Sequence, residues 1–387
     1  SLRQLLVKRF GITDWGNISS FLGINMSYDR DAGILEMDVI EKVKDLFSKH
    51  GILNASSHIK QRDTALDGDY SSIDISDETY WNRCSKVEEY CQKQFASIVG
   101  ALICISITAR PDLSFAIGKL SRGMHQPNLR HVRMLMHVLG YLRKTQHYKL
   151  VYKRTGNAVE ALYRDIGKAD PSLVTLSGSD HQNIDPLGGF SDANFANLSD
   201  EQRKSISGYT FFLFGCLISW RSKLQTITAA STHESELIAL AFCANEAVWI
   251  RKLLEELLFT VAPLVNVRAN TESDKRVKSS IDPASVLDLD LDDDLGDSDA
   301  PKLAPTPLLG DNASAVFSVN NPETSQRTRH LDVRYFKVRD YIKQLRVRVR
   351  HISTNLNVAD FFTKALDKLL FERYRSYLGM ENHAPLT

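Results

Sequence analysis

Four acidic residues stand in contexts that an ordinary surface carboxylate does not share. Asp192 lies within Gly-Gly-Phe-Ser-Asp-Ala-Asn-Phe, a run expected as a strand. Glu236 sits near the start of a long amphipathic run, with Leu240 and Cys243 on its own face at i+4 and i+7, so it points toward whatever that face covers. Asp311 ends the apolar run Pro-Leu-Leu-Gly-Asp-Asn, and Asp360 stands among Val358, Ala359 and Phe361 in the first turn of an expected helix. Each has an ordinary explanation alone: Asp192 could cap or turn, Asp311 could cap the segment beginning at Ala313, and Asp360 could complement a helix dipole. Four acids on core-directed positions are harder to dismiss together, because buried carboxylates are costly unless a cation neutralises them. Carboxylates converging without Cys or His suit hard, oxygen-preferring ions such as Mg²⁺ or Mn²⁺. Two such ions about 4 Å apart suit phosphodiester hydrolysis, one activating water and the other stabilising the leaving oxygen.

The elements that must position these acids can be read from periodicity. Residues 21–28 and 33–38 are apolar-rich runs separated by Asp29-Arg30-Asp31-Ala32, a hairpin signal, and a helix is expected from 39 to 50, ending at Gly51. A polar stretch follows, then helices over 95–107, 113–123 and 129–145, the last with Val132, Leu135, Met136, Leu139 and Leu142 on one face. Residues 156–187, rich in Gly, Asp, Ser and Pro, read as a linker. Beyond it the pattern predicts strands at 190–195, 208–214 and 217–225 and one long helix at 231–258. A strand at 307–312, a helix at 331–345, a strand at 346–352 and a helix at 358–366 follow. Three strands followed by alternating helices and strands predict an α/β fold, a mixed sheet with flanking helices, preceded by a mostly helical region. Residues 260–304 are polar and acidic, without an aromatic residue, and read as a disordered insertion.

Composition sets outer limits. A chain of 387 residues that is 43% hydrophobic can bury a sizeable core. Net charge is +1, but acid is concentrated in 288–299 while Lys and Arg cluster near 119–154 and 327–350. The remainder is therefore basic, which is compatible with a nucleic-acid partner. Five cysteines without a CxxC pair read as buried free thiols in a reducing, intracellular compartment. The apolar stretch 98–107 is too short to span a bilayer, and the first residues carry no secretory h-region, so neither a membrane nor secretion is indicated. With no initiator Met, the chain reads as a piece of something longer.

From residue 189 to 257 the blocks Gly-Phe-Ser-Asp-Ala-Asn-Phe-Ala, Arg-Lys-Ser-Ile-Ser-Gly-Tyr-Thr-Phe-Phe-Leu, Ile-Ser-Trp-Arg-Ser-Lys-Leu-Gln and Ser-Thr-His-Glu-Ser-Glu-Leu-Ile-Ala-Leu occur in order. Downstream come Asp311-Asn-Ala-Ser-Ala, Arg327-Thr-Arg-His-Leu-Asp-Val-Arg-Tyr and Asn357-Val-Ala-Asp-Phe-Phe-Thr-Lys. Together they closely resemble the ribonuclease H domain of Copia-type retrotransposon Pol polyproteins. The resemblance covers nearly all of 188–380 apart from the acidic insertion. It implies a ribonuclease H-like mixed sheet and metal-dependent endonucleolytic hydrolysis of RNA paired to DNA, with 5′-phosphate and 3′-hydroxyl products. It also implies two Mg²⁺ or Mn²⁺ ions, an RNA–DNA hybrid as partner beside other parts of the polyprotein, and metal ligands at Asp192, Glu236, Asp311 and Asp360. Of the two glutamates near the helix start, Glu236 matches better than Glu234 because Leu-Ile-Ala-Leu follows it directly. Upstream, Phe95-Ala-Ser-Ile-Val-Gly-Ala, Ala109-Arg-Pro-Asp-Leu-Ser-Phe-Ala and Leu120-Ser-Arg resemble the end of the same elements' reverse transcriptase, implying that 1–155 are the palm end and a thumb-like region. The polymerase Tyr-x-Asp-Asp hairpin is missing from the sequence, so no DNA synthesis is expected. The sequence departs from the family at His233, where Thr is usual, and in the long 260–304 insertion.

Around the acids, Lys204 and Lys223 flank the strand pair beside Asp192, while Arg327, Arg334 and Lys337 surround the 331–345 helix. Arg122 and Arg133 belong to the earlier basic helices. All seven are candidate phosphate contacts, against the plainer reading of a solvated surface. His351 reads as a strand histidine that could shuttle protons, and His330 as a helix-start residue. The Asp288-Leu-Asp-Leu-Asp run has calcium-loop spacing but Asp293 at the sixth place and Asp299 at the twelfth, which disfavours that reading. Two other functions remain open: a catalytically silent nucleic-acid-binding relic, and an integrase-like strand-transfer enzyme. The second is disfavoured because its last acid is a glutamate, whereas Asp360 is an aspartate.

Overall fold

The computed structural model describes residues 11, 18–51, 59–68, 70, 85–169, 187–196, 203–256, 304–321 and 337–383. The expected acidic insertion at 260–304, apart from its last residue, and Arg327, His330 and Arg334 lie outside these residues. The described residues form an α/β arrangement with two five-stranded sheets.

The first sheet is antiparallel, in the order β1 (Ser20–Phe21), β2 (Ile24–Asp29), β3 (Ile34–Asp38), β4 (Tyr148–Lys153) and β10 (Met380–Asn382). The β2–β3 turn forms because Asp29 Oδ1 accepts from the backbone N–H groups of Asp31 at 3.0 Å and Ala32 at 2.9 Å. Helices α1 (Ile40–Lys49), α2 (Lys86–Lys93), α3 (Phe95–Thr108), α4 (Ser114–Leu120) and α5 (Leu129–Lys144) follow the apolar spacing, as expected except that the polar stretch before residue 95 hides α2. That helix is started by Ser85 and Glu88, whose side chains and backbones cap one another. Helices α2 and α3 are bent by 72° where they meet, and among the described residues no single helix is long and apolar enough to cross a membrane.

The expected linker contains a helix, α6 (Val159–Ala169), which corrects the reading of 156–187 as unstructured connection. Val159, Leu162, Tyr163 and Ile166 repeat at i, i+3, i+4 and i+7 and are buried. The stripe is short and bounded by polar residues, so composition outweighed periodicity.

The second sheet has the order β7 (Cys216–Leu224), β6 (Ile206–Leu213), β5 (Leu187–Asn194), β8 (Thr306–Gly310) and β9 (Val347–His351). Its first three strands are antiparallel, and β8 and β9 join parallel to β5. One face is covered by α7 (Thr232–Glu256), α8 (Ala313–Asn320) and α9 (Lys337–Lys343), through a core of Leu237, Leu240, Cys243, Ala247 and Val349 among others. The other face shares a core with the first sheet's helices, in which Phe190, Phe212, Leu309 and Phe362 join Leu102, Leu139 and Tyr141. The expected helix over 358–366 is instead a 3-10 turn, Val358–Phe362, followed by α10 (Lys368–Tyr377). The turn is tight because all five of its residues are buried against the sheet, leaving no room to continue as an α-helix. Not all thiols are buried as expected: Cys91 and Cys243 are, but Cys216 is half-buried and Cys104 faces solvent from α3.

A buried ion pair ties the halves together. Arg110, 1% exposed, donates to both carboxylate oxygens of Asp112 and to the Thr145 carbonyl at 3.0 Å, while Tyr141 Oη donates to Asp112 at 2.7 Å. Burial opposes ionisation of Asp112, but the Arg110 guanidinium outweighs it and holds the carboxyl below its usual range. Arg375 of α10 donates to Tyr141 Oη at 3.2 Å, joining the C-terminal helix to the same network. Removing one partner would strand the other charge in the core. Asp112→Ala is therefore expected to cost about 3–5 kcal/mol in urea unfolding; a loss below about 1 kcal/mol would show that Arg110 finds water or another partner.

Candidate metal centre

Strand register brings the first two acids together. Ser191 of β5 pairs with Gly310 of β8, so the next residues on the two parallel strands, Asp192 and Asp311, emerge side by side. Asn312, not Asp311, caps α8, accepting from the Ala315 N–H at 2.9 Å, which leaves the Asp311 carboxylate free of the capping role. Glu236 enters from α7, on the face that also carries Leu240 and Cys243 against β5. One carboxylate oxygen each from Asp192, Glu236 and Asp311 lies within 4.8 Å of the others. Asp360, on the 3-10 turn, lies beside Asp192.

Neighbouring groups orient the carboxylates. The Thr363 hydroxyl donates to Asp192 Oδ2. Asn357 Nδ2 donates to the Ser191 carbonyl at 3.0 Å and to Asp311 Oδ1 at 3.3 Å, fastening the turn to both strand ends. Lys364 Nζ lies 2.9 Å from Asp360 Oδ2, whereas Asp360 Oδ1 is buried with no hydrogen-bond partner among the described residues. His351 Nε2 is 3.1 Å from the Asp311 carbonyl oxygen, so this histidine contacts the backbone of an acid rather than its carboxylate. His233 reaches α8 instead, with Nδ1 2.6 Å from Ser314 Oγ. Glu234 is spent at the helix start, where Oε2 accepts from the Ala230 N–H at 2.6 Å and its own N–H donates to Ser231 Oγ at 3.1 Å.

Electrostatics marks the cluster. Burial, then the nearby Asp192 and Asp311, pushes Glu236 up to about 9. Burial, then Asp192, pushes Asp360 up to about 8. Burial also raises Asp192, against the opposing pull of Lys364 and Thr363. Lys364 is held above its usual range although burial opposes it, because Asp192 and Asp360 stabilise its charge. Like charges forced together in a partly buried place, with an oxygen left unpaired, form a donor set that suits a hard cation. The triad of Asp192, Glu236 and Asp311 could hold a metal ion.

Across 382 residues, 99% of its length, the chain is 26% identical to the retrovirus-related Pol polyprotein from transposon TNT 1-94 of Nicotiana tabacum. A similar 26% identity extends over 385 residues to the Pol polyprotein from transposon RE1 of Arabidopsis thaliana. Over nearly its whole length the chain is similar to Copia-type retrotransposon Pol polyproteins. The chain spans 23% and 20% of the length of those two relatives. It is also 36% identical over 156 residues to secreted RxLR effector protein 161 of Plasmopara viticola, covering 90% of that protein and 40% of itself. No protein-family model matches it.

In this chain the candidate phosphate contacts are scattered. Lys223, exposed on β7, lies 5.5 Å from the Phe242 ring centroid, and Lys337, exposed on α9, lies 5.4 Å from that of Tyr341. Lys204 is half-buried just before β6, and Arg122 is half-buried in the 3-10 turn Ser121–Gly123. Arg133 pairs with the buried Glu88 at 3.1 Å, an intramolecular partner that its place in a basic helix did not reveal. Sequence reasoning also passed over Thr363 and Lys364 as contributors to the site. The only signal was their position in Asp360-Phe-Phe-Thr-Lys, where Lys364 stands at i+4 from Asp360, and packing of the turn on the sheet brings Thr363 to Asp192.

Gly208 of β6, opposite Asp192, explains how the turn comes so close. A Cβ there would stand 2.7 Å from Thr363 Cγ2, 3.0 Å from Phe362 Cβ and 3.1 Å from the Ala359 carbonyl oxygen. Gly208→Ala is thus expected to cost about 1–3 kcal/mol and to push the Asp360 turn off the sheet; unchanged thermal stability would show that the turn gives way freely. The raised carboxyls carry a second expectation. Glu236 keeps in the folded state a proton that the unfolded chain, at 4.5, has released, so its contribution is full below 4.5 and is lost as pH rises toward about 9. Without divalent ions, Glu236→Gln should therefore show a shallower fall of melting temperature across that window than the parent. Equal slopes would mean that Glu236 is solvated.

Proposed function

We propose that this Pol segment is a ribonuclease H, hydrolysing the RNA strand of RNA–DNA hybrids with divalent ions. Residues 188–380 would form that part and 1–155 the palm end and thumb-like region of the reverse transcriptase. The reading rests on one observation: carboxylates from β5, α7 and the end of β8 converge within 4.8 Å, with Asp360 beside them. Its support from relatives is that the chain aligns almost end to end with Pol polyproteins.

Asp192, Glu236 and Asp311 would hold the metal, Mg²⁺ or Mn²⁺ by their all-oxygen donors. When bound, it supplies Lewis-acid stabilisation of the charge that builds on the scissile phosphate. The protein's part is to keep the carboxylates in place before that charge appears. Thr363 holds Asp192, Asn357 holds Asp311, and packing of α7 on β5 sets Glu236. Choice of the RNA strand would rest on contacts to 2′-hydroxyls and on hybrid shape, with Lys204 and Lys223 near the β5–β6–β7 face available to backbone phosphates.

The decisive measurement is cleavage of a labelled RNA–DNA hybrid with and without Mg²⁺. Asp311→Asn keeps shape but removes charge. Losing about 4 kcal/mol of transition-state stabilisation slows cleavage by roughly 10³-fold, while hybrid binding without metal persists. Asp192→Asn and Glu236→Gln should match it. Glu234→Gln should cut stability by about 1 kcal/mol, the cost of a weakened cap, with little effect on the cleavage step. Cleavage by Asp311→Asn at the parental rate would remove the metal assignment; retained hybrid binding without any parental cleavage would identify a silent relic.

A further inference from the structure

The four acids are not equivalent. Asp192, Glu236 and Asp311 face one another, whereas Asp360 already has a cation: Lys364 Nζ at 2.9 Å from its Oδ2. Lys364 also acts on Asp192 and Asp311, so its charge sits at the cluster rather than beside a lone carboxylate. The arrangement is built from one short segment. The 3-10 turn carries Asp360, its C-terminal end carries Thr363, whose hydroxyl engages Asp192, and Lys364 N–H donates to the Asp360 carbonyl at 3.2 Å. That segment is pinned to the sheet by Asn194 Nδ2, which donates to the Thr363 carbonyl at 3.1 Å, and by the absence of a Cβ at Gly208. The ammonium is thus tethered four residues from its carboxylate, at an effective concentration that a free ion must match to displace it.

We infer that the Lys364 ammonium is the resident cation of the Asp192–Asp360 side of the cluster, so that the protein takes one divalent ion, at Asp192, Glu236 and Asp311, instead of two. This rests on the metal-dependent reading above and refines it: Lys364 is a positioning residue that sets how many ions the site admits. Asp360 is then a partner of Lys364 rather than a metal ligand. A lysine is suited to the place because its long stem lets the charge reach the acids while the side chain stays 37% exposed.

The test is the Mn²⁺ stoichiometry of the whole chain without nucleic acid, read by the loss of the free-ion paramagnetic resonance signal. The parent is expected to bind one ion and Lys364→Met two, the second at least tenfold tighter than any second ion on the parent. Lys364→Arg should remain at one. Asp360→Asn keeps all three triad carboxylates and should leave the parent's single affinity within about threefold, and this arm holds even if Lys364→Met does not fold. Two ions on the parent, one ion on a folded Lys364→Met, or a tenfold weaker ion on Asp360→Asn would each overturn the role given to Lys364 and leave the metal reading standing. No ion on the parent or on Lys364→Met would instead overturn the metal reading itself.

Discussion

Mutual repulsion of carboxylates is the constraint around which this molecule is arranged. Asp192, Glu236 and Asp311 are brought within 4.8 Å in a partly buried place, where burial and neighbouring charge push Asp192 and Glu236 toward their protonated forms. That they stay together means that stronger packing holds each element on which they sit. Asp192 and Asp311 are locked by parallel strand pairing, which fixes both position and direction, since a slip of one residue would turn either side chain to the opposite face. Glu236 is held by the apolar stripe beneath it, through Leu237, Leu240 and Cys243. The repulsion is thereby kept as a capacity to bind a cation.

The fourth acid is held differently. No strand or long helix carries Asp360; a five-residue turn does, and it depends on hydrogen bonds from Asn357 and Asn194 and on the bare backbone of Gly208. Beyond the turn, α10 packs Phe371 and Tyr374 into the shared core, Arg375 reaches Tyr141, and β10 pairs with β4. The chain's end is therefore part of the first sheet. Asp360 sits between two anchors, one in each sheet, so the geometry of the cluster depends on parts of the molecule far away in sequence. The Arg110–Asp112–Tyr141 network is the buried polar centre of that connection, and it links the residues resembling a reverse transcriptase to those carrying the acids.

The sequence by itself determined a good deal. The strands carrying Asp192 and preceding Asp311, the long helix of Glu236, and the hairpin at the start follow from local apolar periodicity and turn residues, which the chain satisfies within each segment. The four acids stood out because each lies within or at the edge of an apolar-patterned segment, where a carboxylate needs a reason. Less was legible where tertiary context overrode local signals. The 156–187 stretch reads as connection because Gly, Pro and Asp surround the short stripe of α6, and only the core that receives Val159 and Ile166 makes that stripe worth folding. Residues 358–366 have helical composition, but pressure from the sheet on every side chain of Val358–Phe362 tightens them into a 3-10 turn.

What only the tertiary structure decided is the division of labour at the site. The sequence pattern already favoured Glu236 over Glu234. The hydrogen bond from the Ala230 N–H gives the physical reason, because it commits Glu234 to the helix start. Spacing does not show that Thr363 meets Asp192: Lys364 stands at i+4 from Asp360, a pairing that helical spacing itself allows, but the contact of Thr363 with Asp192 depends on how the turn packs on the sheet. Sequence fixes which charges a segment carries; which groups meet depends on distances of a few ångströms between segments far apart in the chain, such as Asp192 and Thr363, 171 residues apart, and those are set by packing.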